Sequence, residues 1–425
     1  MPESSIAWAS SRRTLPTVSI KLFPNPRVDR IGRYGAQRAR ILGGEAFDAA
    51  RREITSWPGY AVTPLHDLRG LAAALGIGEL RFKDEGSRFG LGSFKALGGA
   101  YAVGRLLAGV IARETGARVG TRELAAGAFR ERVRDITVTC ATDGNHGRSV
   151  AWGARMFGCK CVIYIHEHVS EGRKAAIERF GAEVVRTPGN YDDAVRQADA
   201  DARRLGRHVI SDTSYEGYMD VPRDVMQGYA LMAEEALQQW DDAMPTHVFL
   251  QGGVGGMAAA VCGHFWERAG GERPMTVVVE PDKADCLLRS ACAGVPVAVR
   301  GELDTMMAGL ACGEVSLLAW EILREGADAF ASLPDQAAID CMRLLATAPF
   351  GDPRIVAGES AVAGLGALIG AAACPAQRES LGLDAGSRVL LFGTEGDTDP
   401  ELYRQLVGAS AAQISSGSTS SCQRA

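Results

Sequence analysis

Short apolar runs alternate with longer amphipathic stretches along most of the chain. Seven runs read as strands: Ile136–Cys140, Cys161–Ile165, Val184–Val185, His208–Ile210, His247–Leu250, Thr276–Val279 and Arg388–Phe392. Their nearly continuous apolar character predicts strands covered on both faces, as in a parallel sheet with crossover helices. The expected class is α/β. The strands fall into two groups, within 136–210 and 247–392, separated by Ser211–Trp240. A smaller domain over 100–210 and a larger one over 41–99 and 211–405 follow, with ligand in the crevice between them. The helix over 222–240, with Met226, Tyr229, Met232 and Leu237, is read as core packing. Residues 1–40, broken by Pro16, Pro24 and Pro26, are expected to form an arm, and the Ser-rich 406–425 a disordered tail. The mixed-charge stretch 118–133 is read as a solvated helix or insertion.

Composition narrows the partners. A chain of 425 residues with 46% hydrophobic and 23% charged residues has enough apolar surface for two or three folding units. A net charge of −5 disfavours nucleic acid or an anionic membrane, so a small molecule is the expected partner. No run reaches the ~18–20 apolar residues of a membrane span, and the first residues lack a signal core. The ten cysteines include no CxxC pair, so structural zinc is not expected and reduced thiols in the cytoplasm are. Cys159 and Cys161 alternate along one strand and are read as packing residues.

Three segments carry candidate chemistry. In the first, Lys83 to Gly99, a glycine-punctuated loop runs into a helix over Ala96–Leu107, with Ser93 as the expected N-cap and Lys95 in the first turn. A cation there opposes the helix dipole. An amine wanted neutral, with its pKa depressed for Schiff-base formation with an aldehyde cofactor, gives a reason; an exposed helix lysine is the plain alternative. In the second, Thr139-Cys-Ala-Thr-Asp-Gly-Asn-His-Gly147, a strand-to-helix turn offers backbone N–H groups to an anion and gathers Asp143, Asn145 and His146.

The third segment, Phe249 to Ala260, holds Gly252-Gly-Val-Gly-Gly256, a backbone that can wrap a phosphate at a helix start. A dinucleotide reading stands equal to it on that loop alone. Gly253, Gly255 and Ala258 fit GxGxxG/A, and Glu280 sits where a ribose-binding acid would. Weaker clusters lie at Asp212–Tyr218, Met306–Glu314 and Phe392–Pro400; Asp397 and Asp399 alone do not make a metal site, and none is expected.

Ser93-Phe-Lys95, Thr142-Asp-Gly-Asn-His-Gly147 and Gly252-Gly-Val-Gly-Gly256, in this order, resemble the fold type II pyridoxal-phosphate enzymes, the tryptophan synthase β family. Within it the chain is similar to the diaminopropionate ammonia-lyases, through Lys83-Asp-Glu, Arg88-Phe-Gly-Leu91, Ala141 to Gly147, Glu216-Gly-Tyr218, Val279 to Cys286, Met307 to Glu314, Gly358-Glu-Ser360 and Thr394 to Asp399. The resemblance spans residues 20–405. It implies two domains of mainly parallel sheet flanked by helices, pyridoxal phosphate in the cleft between them, and a homodimer.

The same resemblance implies site roles. Lys95 carries the cofactor as a Schiff base, with Phe94 beside the ring. Asn145 meets the ring hydroxyl, Thr394 the pyridine nitrogen, and Gly252, Gly253, Val254, Gly255 and Gly256 the phosphate. Asp143 and Asp212 are the family's two acids, and Ser93, Thr142, Gly144 and His146 join them at the substrate. Elimination of 2,3-diaminopropionate to pyruvate and ammonia is then the expected reaction, with Lys95 taking the α-proton of the L isomer and Asp143 that of the D isomer. Gly92-Ser93 before Phe-Lys, Tyr215 and Ala361-Val-Ala363 depart from the family pattern. They leave room for a serine or threonine dehydratase-like eliminase or a β-replacement enzyme. A nicotinamide-dependent oxidoreductase and a non-catalytic amino-acid-binding regulator complete the alternatives.

Overall fold

The computed structural model describes residues 13–142 and 144–417. Its strands, in chain order, are β1 (Lys21–Pro24), β2 (Leu65–Asp67), β3 (Glu79–Asp84), β4 (Thr137–Ala141), β5 (Lys160–His166), β6 (Glu183–Thr187), β7 (His208–Val209), β8 (His247–Gln251), β9 (Met275–Pro281), β10 (Ala329–Leu333) and β11 (Arg388–Gly393). They form a seven-stranded sheet in the order β1-β10-β9-β8-β11-β3-β2 and a four-stranded sheet in the order β6-β5-β4-β7. The small sheet is parallel throughout, as is the large one from β10 to β3. Only the large sheet's edges, β1 and β2, run antiparallel.

Burial explains why the parallel strands were visible in the sequence. Val248, Phe249, Leu250, Val277, Val278 and Val279 are all completely buried, because helices cover both faces of the sheet. All seven expected strands form, to within a residue or two. Four more were not anticipated: β1, β2, β3 and β10. β1 and β2 are short edge strands, β3 mixes charged with apolar residues, and β10 is rich in small ones. The segment expected to be an arm therefore contributes an edge strand, in register Lys21↔Ser332 to Pro24↔Ala329. An edge tolerates Pro24, which has no N–H to donate.

Two further expectations are corrected. Residues 411–417 form a helix in which Ile414 is buried, so the tail is ordered that far; 418–425, including Cys422, lie outside the described residues. The 118–133 stretch holds two short helices, Thr121–Ala125 and Arg130–Val133, that bury Thr121, Leu124 and Val133. The Trp57 indole donates to Thr121 Oγ1 at 3.0 Å, so one face of this stretch packs rather than being solvated.

The Ala96–Thr115 helix lies between the Asn145–Phe157 helix and the Asp220–Gln239 helix. Glycine allows the close approach. A Cβ on Gly228 would sit 2.0 Å from the Leu97 carbonyl oxygen, and one on Gly153 would sit 2.8 Å from Ala100 Cα. This squeeze fixes where the first turn of the helix, and with it Lys95, points. Among the described residues no helix is long and apolar enough to cross a membrane.

Candidate active site

Lys95 occupies the N-cap position of the Ala96–Thr115 helix, so Ser93 is not the cap; it forms a backbone bridge with Glu395 instead. The helix also runs a full 20 residues, beyond the expected end at Leu107. The Phe94 amide donates to the Thr394 carbonyl at 3.1 Å, which fastens the lysine-bearing segment to the loop after β11.

Lys95 Nζ donates to Asp212 Oδ2 at 2.6 Å, and each side chain keeps slightly under a fifth of its surface exposed. His146 Nδ1 lies 3.8 Å from the same oxygen. The His146 ring is held from its other side: Nε2 meets the Ile210 carbonyl at 2.8 Å, and since a carbonyl only accepts, Nε2 carries the proton. Burial lowers the His146 pKa, partly offset by the Asp212 charge, which favours that neutral tautomer.

This pair corrects the expectation of a depressed amine. Burial alone would lower the Lys95 pKa, but the Asp212 carboxylate beside it overrides burial and the amine sits well above its ordinary value. Burial likewise pushes Asp212 up, and the Lys95 charge and hydrogen bond override it and bring the carboxyl far below the usual carboxylate range. Without a cofactor the lysine is an ammonium held by its acid.

Two strand-to-helix turns converge on the pair. After β4, Thr142 Oγ1 accepts from the amides of Gly144 and Gly147 at 3.0 and 3.1 Å, fixing the turn that opens the Asn145–Phe157 helix. Asn145 Nδ2 donates to Glu395 Oε2, whose other oxygen accepts the Ser360 amide at 2.9 Å. Asp143 lies outside the described residues.

After β8 comes Gly252 to Gly256, with Gly255 at φ +95°, a left-handed conformation that favours glycine. A Cβ on Gly252 would meet Leu287 Cδ1 at 2.8 Å, and one on Gly253 would meet Cys312 Sγ at 3.0 Å. At the end of the loop a Cβ on Gly256 would lie 3.8 Å from the Asp212 carbonyl oxygen, which brings the loop beside the ion pair. The first amides of the Gly256–Ala269 helix and of the loop before it have no acceptor within the helix, a ready anion site. Thr394 Oγ1 is buried, accepts from Gln251 Nε2 at 3.1 Å and donates to the Ser360 carbonyl at 3.3 Å. An amine that can condense with an aldehyde, a glycine cradle at a helix start and a buried hydroxyl fit pyridoxal phosphate.

The dinucleotide alternative fails on Glu280. Its side chain is completely buried, and its two oxygens accept the amides of Leu287 and Leu288 at 2.8 and 2.7 Å, at the start of the Cys286–Ala293 helix. Held there with no surface exposed, the carboxyl cannot reach a ribose. Asp399 caps the Pro400–Val407 helix by accepting the Leu402 amide at 3.3 Å. Among the described residues no group of three or more His, Cys, Asp or Glu stands ready to hold a metal.

Some residues of the site went unnoticed in the sequence. Glu395 follows Thr394 directly, but its contacts with Asn145 and Ser360 are long-range and leave no local signal. Arg173, on the Glu171–Glu178 helix, pairs with Glu359 at 2.9 Å and approaches Asp399 at 3.6 Å, joining the small-sheet half to the large. Burial and the neighbouring Glu395 push Glu359 up to about 8.

Three comparisons bear on this arrangement. Residues 56–395 match the family model described as pyridoxal-phosphate dependent enzyme. A diaminopropionate ammonia-lyase of Salmonella typhimurium is 42% identical over 389 residues, which covers 88% of this chain and 95% of that one. Among solved structures, holo diaminopropionate ammonia lyase from Escherichia coli superposes with a TM-score of 0.82 at 38% identity, covering 93% of this chain and 98% of that chain. The same Escherichia coli enzyme in complex with an aminoacrylate-PLP azomethine reaction intermediate gives a TM-score of 0.81 at 39% identity, with the same coverage.

Proposed function

This chain belongs to the pyridoxal-phosphate dependent enzymes, in the diaminopropionate ammonia-lyase family, and on that premise we propose that it eliminates ammonia from 2,3-diaminopropionate. With water the products are pyruvate and two ammonia molecules. The observation that carries the reading is the Lys95–Asp212 pair beside the Gly252–Gly256 cradle. Pyridoxal phosphate, bound through a lysine, withdraws electrons from the substrate α-carbon and makes its proton removable.

The chain's own residues supply the rest. Gly253, Val254, Gly255 and Gly256 offer backbone N–H groups to the phosphate, and Gly252, whose own N–H donates to the Val279 carbonyl at 2.8 Å, opens the cradle without a side chain in the way. Phe94, Asn145 and Thr394 orient the ring. Lys95 holds the cofactor and, once released, takes a proton from the α-carbon. Asp212 keeps the departing proton near Lys95 and pairs with the cationic β-amine, and the family resemblance gives Asp143 the α-proton of the D isomer. Ser93, Thr142, Gly144 and His146 line the substrate. A hydroxyl in place of the β-amine leaves two carboxylates without a cation to pair, a penalty of order 1–3 kcal/mol or more.

Pyruvate release from D- and L-diaminopropionate, measured against serine and threonine, tests this reading. Turnover of serine equal to or better than that of diaminopropionate would overturn it in favour of a hydroxyamino-acid dehydratase. On the family resemblance we further propose a homodimer in the cytoplasm; light scattering after gel filtration that finds a monomer would refute the dimer.

A further inference from the structure

The Asp220–Gln239 helix presents one residue to Lys95 that core packing does not explain. Tyr229 is 1% exposed, and although its hydroxyl lies close enough to Lys95 for the two side chains to interact, no partner meets it with full hydrogen-bond geometry. A buried phenol normally finds one. Its ring packs on Phe94 with centroids 4.6 Å apart, and Lys95 Nζ stands 5.4 Å from the Phe94 centroid and 5.7 Å from that of Tyr229. The ring cannot retreat, because Gly98 is in contact behind it: a Cβ there would lie 2.4 Å from Tyr229 Cε1.

Lys95 has three N–H donors as an ammonium, and Asp212 takes one at 2.6 Å. A carboxylate partner suits the charged amine but opposes the neutral one. When Lys95 works as a base its nitrogen must be held by something uncharged that leaves the lone pair free, and an accepting hydroxyl does this. The phenol stays neutral for that purpose, since burial holds it well above its ordinary value while the Lys95 charge only partly offsets the burial.

We propose that Tyr229 is a positioning residue for Lys95, its hydroxyl accepting an N–H of the amine when that nitrogen moves off Asp212. This rests on the role given above to Lys95 as the cofactor lysine. The hydroxyl thereby aims the amine at the substrate without raising its charge.

The test is Tyr229→Phe in the cofactor-loaded enzyme. We expect kcat for diaminopropionate to fall about tenfold with KM within about twofold, and the midpoint of the absorbance pH titration of the lysine-bound cofactor to shift. A second readout uses protein stripped of cofactor: pyridoxal phosphate added at a series of pH values should react with Lys95 several-fold more slowly in the variant. If kcat, the titration midpoint and the reaction rate all match wild type while the melting temperature rises, the hydroxyl is only an unpaired core group and the proposal is wrong. If no diaminopropionate is turned over by either protein, the substrate reading falls, and the titration and the Lys95 reaction still decide the role of Tyr229.

Discussion

Two lysines flank the same glycine-punctuated segment, and their surroundings are opposite. Lys83 is completely buried, and its Nζ donates to the Thr63 carbonyl at 2.8 Å, to Gln239 Oε1 at 2.7 Å and to Glu235 Oε2 at 2.8 Å. Arg88 is equally buried, shares Glu235 with Lys83, at 2.7 Å, and pairs with Glu85 at 2.8 Å. Every donor of Lys83 is spent. Lys95 has one carboxylate partner, two aromatic rings and residual exposure. Burial pushes the Lys83 amine below its ordinary value despite Glu235, whereas Asp212 holds that of Lys95 above it. A lysine whose three donors are all used can only hold a structure together. One with donors to spare can do chemistry.

The contrast breaks first at Lys95. Lys95→Ala is expected to reduce pyruvate formation by ~10³-fold or more and to abolish the cofactor absorbance band near ~410–420 nm, while the melting temperature stays within a few degrees. Retention of the band would show that another residue carries the cofactor.

Asp212→Asn comes next, with an expected loss of about 10²-fold in kcat/KM for diaminopropionate. Its stability effect depends on pH. The lowered Asp212 value gives stability that is complete above the unfolded carboxylate's ~3.9 and is lost as pH falls through the folded value. The raised Lys95 value gives stability that is complete below ~10.4 and is lost as pH rises through its own folded value. Urea midpoints for wild type and variant, without cofactor, should differ most in the mildly acid to neutral range; the gap should narrow as pH rises, because burial then lets the unpartnered Lys95 of the variant shed its proton, and narrow again at acid pH where Asp212 is protonated.

Glu235→Gln acts on the other lysine. It leaves Lys83 and Arg88 buried with Glu85 as their only carboxylate, and the expected loss is about 3–5 kcal/mol of unfolding free energy with little change in kcat for the molecules that remain folded. A large kcat effect with intact stability would erase the distinction between the two lysines.

The smallest effect concerns Glu359, where burial rather than a partner dominates. Because its folded value is raised to about 8, the native state holds the proton more tightly, and its contribution to stability declines as pH rises from the unfolded ~4.3 toward that value. Wild type should therefore lose about 1 kcal/mol or more relative to Glu359→Gln between pH 5 and 9, read from denaturation midpoints. An unchanged difference would mean that Arg173 compensates the charge fully.

Local pattern carried much of the fold and part of the site. The buried strands β4, β5, β8, β9 and β11 are apolar runs because both of their faces are covered. β3, Glu79–Asp84, was hidden by its polar alternation, and Lys83 within it read as part of a loop; only its neighbours, β11 in register Phe392↔Lys83 and the Asp220–Gln239 helix, make it a buried strand. The lysine, the Asn-His turn and the glycine loop were legible because each is a short run of special residues. The Lys95–Asp212 contact, and the charge state it imposes, were not, since they depend on the distant segments that the fold brings together. Tyr229 looked like any other apolar position of an amphipathic helix, and its neighbour across the gap is what sets it apart.

That same helix serves both lysines, presenting Tyr229 to one and Glu235 to the other. Its phase is therefore a mechanical constraint on the molecule. Insertion of a single residue between them turns one position about 100° relative to the other, so the clamp and the chemical end cannot both stay engaged. The stretch 229–235 should tolerate exchanges of side chain far better than any change of length.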